Sequence, residues 1–467
     1  MIQTWINKHE YKILFLFFIV IFFLKWDDLF LPYFWDEIGV YTQASLYLTD
    51  HGLSILPNSM PPELSRGHPL LFMFIFGLIY KVFGTSVFIG HLFALLISFL
   101  FTWSGYILLK RFSSSTLALA GILLLWVQPI FYIQSSFILP EILLGLFCIQ
   151  ALNSYLNQKY LATFIYTTLA IFTKETGLIL PVAFALTSVY TKKWNKDLIL
   201  EFLYYAAPFI LFAIFIVIQK IQNGWYFFPY HTGFLSFKPV SIMHRDSDLI
   251  DYLLFQQGRF VVSFLLFISV TILLYRLKQV KEFHIQLESF YSFIPSILLF
   301  IGVIIYSGMN FHMNRYLFLI YPIGILFILL IVYNAIKHEM ATFYVIILCS
   351  IIQLAMPKPT THITEYDFNC RDLIHAQQNV CTYIENNVPE GKVIEAAFPV
   401  LHAFYDARLG YFTTIKHTLC ESDCNGKVDY TVFSRPGNLE WSSLPTDKEI
   451  IYTSKIGMAE VYLVKMK

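Results

Sequence analysis

Continuous apolar runs recur along the chain, at residues 11–24, 87–109, 116–133, 137–155, 160–173, 177–190, 202–219, 260–275, 290–307, 316–333 and 341–356. Their only formal charges are Lys12, at the edge of the first, and Glu141, near the start of the fourth. The runs are continuous rather than alternating, which fits helices and excludes a membrane barrel. A helix satisfies its own backbone in lipid, so the pattern predicts about eleven membrane-spanning helices. The first run is short, and Lys12 and Lys25 are expected to snorkel and lengthen it.

One further run, residues 70–83, decides the topology. If it crossed the bilayer, every later loop would change sides. If it lies along the interface, Lys8, Lys12, Lys110, Arg111, Lys159, Lys192, Lys193, Lys196, Arg276, Lys278, Lys281 and Lys337 all fall on one side. That asymmetry marks cytoplasmic loops, so the interfacial reading is preferred, with a cytoplasmic N-terminus. The run has almost no polar face, which is unusual for a surface helix, so other protein is expected to cover it. The outer side then holds a loop at 25–86, a loop near 220–259 and the tail from about 357. Within the tail, residues 372–386 read as a helix stopped by Val388-Pro389-Glu390-Gly391. Residues 392–396, 430–433, 449–452 and 460–464 read as strands. The predicted architecture is an all-α polytopic membrane unit over residues 1–356, with a small α/β extracytoplasmic domain over 357–467. No internal repeat is evident, which disfavours inverted-repeat transporters.

Composition agrees. The 467-residue chain is 57% hydrophobic and 13% charged, too few charges to cover a soluble domain of that size. A net charge of +1 gives no case for a nucleic-acid partner. The first run is followed by Lys25-Trp26-Asp27 rather than by small residues, so no cleavable signal peptide is evident. Cys370, Cys381, Cys420 and Cys424 crowd the tail. Thiols at that density favour disulfides and an oxidising compartment, with the pairing left open.

Residues able to carry chemistry gather on the predicted outer side. Asp36 and Glu37 follow Trp35 just beyond the first run. Two adjacent carboxylates can serve as a general base or hold a divalent metal, although acids also favour a helix start, and 37–48 looks helical. His68 precedes Pro69 at the head of the 70–83 run, as a cap, a phosphate donor or a metal ligand. Glu141 sits flush against an apolar helix, where a carboxylate usually faces a cavity or a partner. Lys174, in Thr173-Lys174-Glu175-Thr176-Gly177, breaks the charge asymmetry, which an anionic phosphate or a plain Lys174–Glu175 pair would explain. Arg315 beside Tyr316 offers a charge fork and an interfacial phenol.

In order, these features resemble the GT-C membrane glycosyltransferases, especially the dolichyl-phosphate-mannose protein mannosyltransferases and the lipid A aminoarabinose transferases. The likeness rests on Trp35-Asp36-Glu37, then Gly67-His68-Pro69-Leu70 heading an apolar helix that ends Tyr80-Lys81-Val82-Phe83-Gly84. Lys110-Arg111-Phe112, Glu141, Thr173-Lys174-Glu175-Thr176-Gly177 and Arg315-Tyr316 with Pro322 beyond complete it. It covers about residues 10 to 330; the tail matches the family's small outer domain by position. Glu141 stands where Asp is commoner, and Pro69 is single where relatives carry two prolines.

The resemblance implies a first-loop helix lying along the membrane surface and a polyprenyl-phosphate sugar donor. It implies a lipid, glycan or protein acceptor at the outer face of the membrane, among membrane lipids; the small tail and the lack of a retrieval signal favour a bacterial inner membrane. It implies inverting transfer with Asp36 as base, Glu37 and Glu141 as its acidic companions, and His68, Lys174, Arg315 and Tyr316 near the carrier phosphate. A divalent metal held by Asp36, Glu37 and Glu141 is left open, although the resemblance does not require one. A flippase of lipid-linked glycan would need charged groups deep within spans, which are lacking. A non-catalytic scaffold would give no reason for Glu141 or Lys174.

Overall fold

The computed structural model describes residues 2–192, 196–279, 287–310, 313–356, 363–420, 428–435 and 448–466, so Lys193, Lys281 and Cys424 lie outside the described residues. The chain is an integral, multi-pass membrane protein dominated by apolar helices. Each predicted apolar run is helical: Ile2–Leu24, Val87–Phe112, Ser115–Trp126, Pro140–Leu156, Tyr160–Thr173, Ile179–Thr191, Lys196–Asn223, Phe260–Gln279, Leu287–Met309, Tyr321–Ile336 and Glu339–Ala355. By length and composition alone, three of the described helices suffice to cross a membrane: Val87–Phe112, Lys196–Asn223 and Ser292–Met309. The 116–133 run breaks where Pro129, which has no amide hydrogen, opens a separate helix Pro129–Gln134.

The topology-deciding run forms Leu71–Phe83, of 13 residues. At 1.5 Å per residue it is about 20 Å long, well short of a ~30 Å hydrocarbon core. Its missing polar face is explained by packing. Phe72, Met73, Phe76, Ile79 and Tyr80 are buried, with the first-loop helix Gln43–His51 against them, while Leu78, Val82 and Phe83 stay exposed.

The tail carries the predicted helix as Cys370–Asn387, packed on a five-stranded sheet. Its strands are β1 (Val393–Ala396), β2 (Thr418–Cys420), β3 (Tyr430–Arg435), β4 (Glu449–Ile456) and β5 (Ala459–Lys465), in the order β2-β1-β3-β5-β4. β1 runs parallel to β2 and β3, whereas β5 runs antiparallel to β3 and β4. Strand β2 was not predicted. Its three residues are too few for a two-residue period to register, and pairing with β1 supplies its order.

Two expectations are corrected. Lys25 does not snorkel: it is fully buried, with its ammonium 2.6 Å from Asp28 and 2.7 Å from the Tyr132 carbonyl. The carboxylate and carbonyls inside the protein replace the headgroup water it was expected to seek. The tail cysteines are not all oxidised either. Cys420 is disulfide-bonded, but Cys370 and Cys381 are buried free thiols in the hydrophobic core beneath the helix.

The tail is joined to the first loop rather than hung from the last helix. Arg371 pairs with Asp28 at 2.7 Å and Arg408 with Asp50 at 2.8 Å. The Tyr33 amide donates to the Leu409 carbonyl at 3.2 Å.

Candidate active site

Asp36 enters the site on strained backbone. Trp35, just before it, holds a left-handed φ of 58°, which costs a non-glycine residue ~1–3 kcal/mol. Residues Glu37–Thr42 then wind as a π-helical turn that passes into Gln43–His51, a form frequent at functional sites. The Trp35 ring is braced edge-on by Phe398 of the tail, with ring centroids 5.0 Å apart.

Arg315 is the centre of the site. It lies in the tight turn Asn314–Leu319 that leads into Tyr321–Ile336. Its Nη2 donates to Asp36 Oδ2 at 2.5 Å, its Nε to Glu141 Oε1 at 3.0 Å, and its Nη1 to Glu365. Glu141, in the first turn of Pro140–Leu156, also accepts from Lys174 Nζ at 2.7 Å. The Lys174 ammonium stands 4.0 Å from the Tyr316 ring centroid. Three carboxylates thus share two cations, and the whole group is nearly dry. Side-chain exposure is 1% at Glu141, 0% at Glu365, 2% at Arg315 and 5% at Lys174, but 22% at Asp36. Of the three acids, Asp36 is the one with a face open to an incoming molecule.

Four sequence-predicted residues, Asp36, Glu141, Lys174 and Arg315, therefore meet, with Tyr316 beside them. Glu37 and His68 do not join the cluster. The Glu37 carboxylate is fully buried and accepts from His91 Nε2 at 2.9 Å, the Ile138 amide at 2.7 Å and the Phe34 amide at 3.1 Å. It ties the first loop to Val87–Phe112 and to the entry of Pro140–Leu156. His68 Nδ1 lies 3.1 Å from Glu175 Oε2, and its ring is 4.9 Å from that of His231. Burial pushes His231 down to about 4.

Sequence reasoning missed Glu365 and His402. Glu365 comes from beyond the last membrane helix, and its carbonyl accepts from Gln134 Nε2 at 3.2 Å. One acid in a polar tail carries no signal by itself. His402 packs on Gly39, where a Cβ would fall 3.0 Å from its Nε2, and its Nδ1 lies 3.3 Å from Gln43 Nε2. Burial, with Arg66 nearby, pushes His402 down to about 4 against the opposing charge of Asp36. Among the described residues no group of three or more His, Cys, Asp or Glu side chains is arranged to hold a metal ion. Asp36, Glu141 and Glu365 converge on a guanidinium instead.

A multi-pass helical bundle, a 13-residue apolar helix too short to span, a small sheet domain and a buried acid–base cluster under the first loop make up the architecture of the GT-C fold class. Residues 67–219 match the sequence profile of the dolichyl-phosphate-mannose-protein mannosyltransferase family. The fold is similar to that of ArnT from Cupriavidus metallidurans bound to undecaprenyl phosphate, at a TM-score of 0.58 and 12% identity over 97% of each chain. The same ArnT in its apo state gives 0.58 and 11%, over 96% of this chain and 97% of that one. None of the curated proteins matches the sequence.

Proposed function

We propose that this protein is a glycosyltransferase that moves a sugar from a polyprenyl-phosphate donor to a lipid, glycan or protein acceptor at the outer face of the membrane, with inversion. The observation that carries the reading is the convergence of Asp36, Glu141 and Glu365 on Arg315, with Asp36 alone among the three acids facing outward. The undecaprenyl phosphate held by the similar ArnT and the family profile over residues 67–219 support the donor class. The chain divides for this work into a membrane unit, residues 1–356, and an outer unit, 357–467.

The roles follow from exposure. Asp36 Oδ2 is held by Arg315, so the other carboxylate oxygen accepts the acceptor hydroxyl proton as that oxygen attacks the anomeric carbon. The bond to the carrier phosphate breaks on the opposite face, through an oxocarbenium-like transition state. Each Arg315 nitrogen is already engaged by an acid. A guanidinium carries five N–H groups, so its two terminal nitrogens each keep a second N–H for a donor phosphate. The phosphate takes those donors while Arg315 keeps Asp36 oriented as base. Lys174 stands beside Arg315 at Glu141, its ammonium over the Tyr316 ring. The Arg315 and Lys174 cations offset the charge growing on the departing phosphate, and His68 is a further donor to it. Glu141 and Glu365 are too buried to touch substrate and position the two cations. Glu37 positions the loop that carries Asp36.

The test is Asp36→Asn in proteoliposomes supplied with labelled carrier-linked sugar. The variant is expected to insert, melt normally and bind donor, while transfer falls at least 100-fold, within the range for loss of a general base. Transfer at the wild-type rate would remove Asp36 from that role.

A further inference from the structure

Among the described residues the buried lysines and arginines are Lys25, Lys174, Arg259 and Arg315. Three of them face carboxylates: Lys25 faces Asp28, Lys174 faces Glu141, and Arg315 faces its three acids. Arg259 does not. Its Nε donates to Gln128 Oε1 at 2.9 Å and its Nη1 to the Tyr252 carbonyl at 2.9 Å. Its Nη2 reaches the Tyr252 hydroxyl at 3.1 Å, Gln257 Oε1 at 3.1 Å and the Tyr321 hydroxyl at 3.3 Å. The Tyr252 ring lies 4.2 Å away. All of these partners are neutral. They satisfy the hydrogen bonds but leave a buried positive charge without a counter-charge, an unfavourable state that a bound anion would relieve.

Arg259 also lines a cavity of about 250 Å³ formed mainly by Phe260–Gln279 and Tyr321–Ile336. Gln128, Tyr321 and Gln353 join Arg259 in its lining, and Leu266, Phe300, Phe327 and Ile328 contribute apolar surface. One wall is shared with the acid cluster: the Asn314–Leu319 turn sends Arg315 to the carboxylates and Leu317 into the cavity. A water-soluble anion gains nothing from the apolar lining, and a neutral lipid leaves the guanidinium unbalanced. An anionic amphiphile meets both demands.

We infer that this cavity is a site for a phosphate-bearing lipid, its chain among Leu266, Phe300 and Phe327 and its phosphate on Arg259, separate from the donor phosphate site at Arg315. The Tyr321 contact, the longest at 3.3 Å and itself in the cavity lining, gives way to phosphate oxygens. The inference does not depend on Asp36 being a base, because lipid retention is read without turnover.

The full-length protein, delipidated in detergent, is offered equal phosphatidylglycerol and phosphatidylcholine, and the retained lipid is counted by native mass spectrometry. Wild type is expected to hold one phosphatidylglycerol with at least tenfold preference. Arg259→Gln should lose that preference, and Arg259→Lys should keep part of it. Gly324→Leu leaves Arg259 untouched and fills the cavity, since a Cβ there meets only Phe300, at 3.8 Å; it should lose the lipid too. Should Arg259→Gln fail to fold, Gly324→Leu decides alone. Wild-type retention by the folded variants would overturn the site. One-for-one displacement of phosphatidylglycerol by undecaprenyl phosphate would overturn its separateness and hand it to the donor.

Discussion

Glu141 is the residue on which the cluster's electrostatics turn, because it serves both cations at once. Glu141→Ala leaves Lys174 with little but the Tyr316 ring for company. Removing one member of a buried pair typically costs about 3–5 kcal/mol, since the remaining charge is stranded. Thermal unfolding in detergent should show a clear loss for Glu141→Ala, and Glu141→Ala with Lys174→Met should recover most of it. Equal melting of the single and double variants would mean that Lys174 was never stabilised by Glu141. At this scale the sequence was informative for charges lodged against apolar helices. Glu141, Lys174 and Arg315 each violate the preference of charge for water, and each turned out to be paired. Asp36 and Glu37 were not separable in the sequence. Adjacent residues on a helical turn point about 100° apart, and only the packing decided that Glu37 turns inward to His91 while Asp36 faces Arg315.

At the scale of elements, the site depends on how closely the first loop docks onto Val87–Phe112. Gly90 is the contact point. A Cβ there would lie 2.5 Å from the Tyr33 hydroxyl and 2.6 Å from the Tyr80 hydroxyl, which bond to each other at 2.8 Å. Gly90→Ala must push apart Leu71–Phe83, the first loop and Val87–Phe112. Overpacking of this kind typically costs about 1–3 kcal/mol. A lowered melting temperature with reduced transfer is the expected result, whereas a silent substitution would show that the loop docks more loosely than its contacts indicate. The helices themselves were legible because each apolar run is long and uninterrupted. Strand β2 and the break at Pro129 were not, the one too short for a period and the other hidden inside continuous hydrophobicity.

Across the whole molecule, the tail closes over the loop that carries Asp36. Phe398 braces Trp35, His402 packs on Gly39, and Glu365 reaches the cluster itself. This closure is expected to weaken in acid. Burial holds His402 down to about 4, below the ordinary histidine value of 6.5. A histidine lowered on folding stabilises the folded state fully above about 6.5, and that contribution is lost as pH falls from there toward 4, because the unfolded chain takes up the proton first. The melting temperature of wild type should therefore fall more steeply between pH 6.5 and 4 than that of His402→Gln. Parallel profiles for the two proteins would remove His402 from the closure.

Hydrophobic periodicity alone determined that the chain is helical, embedded in a membrane and followed by a small polar α/β tail, because the cost of burying backbone and charge in lipid acts on every residue locally. Tertiary structure decided which acids share Arg315, that Glu37 is a brace, that Lys25 is buried and that the tail supplies Glu365. Those outcomes depend on residues hundreds of positions apart arriving at one point, and no local pattern encodes the distance between them.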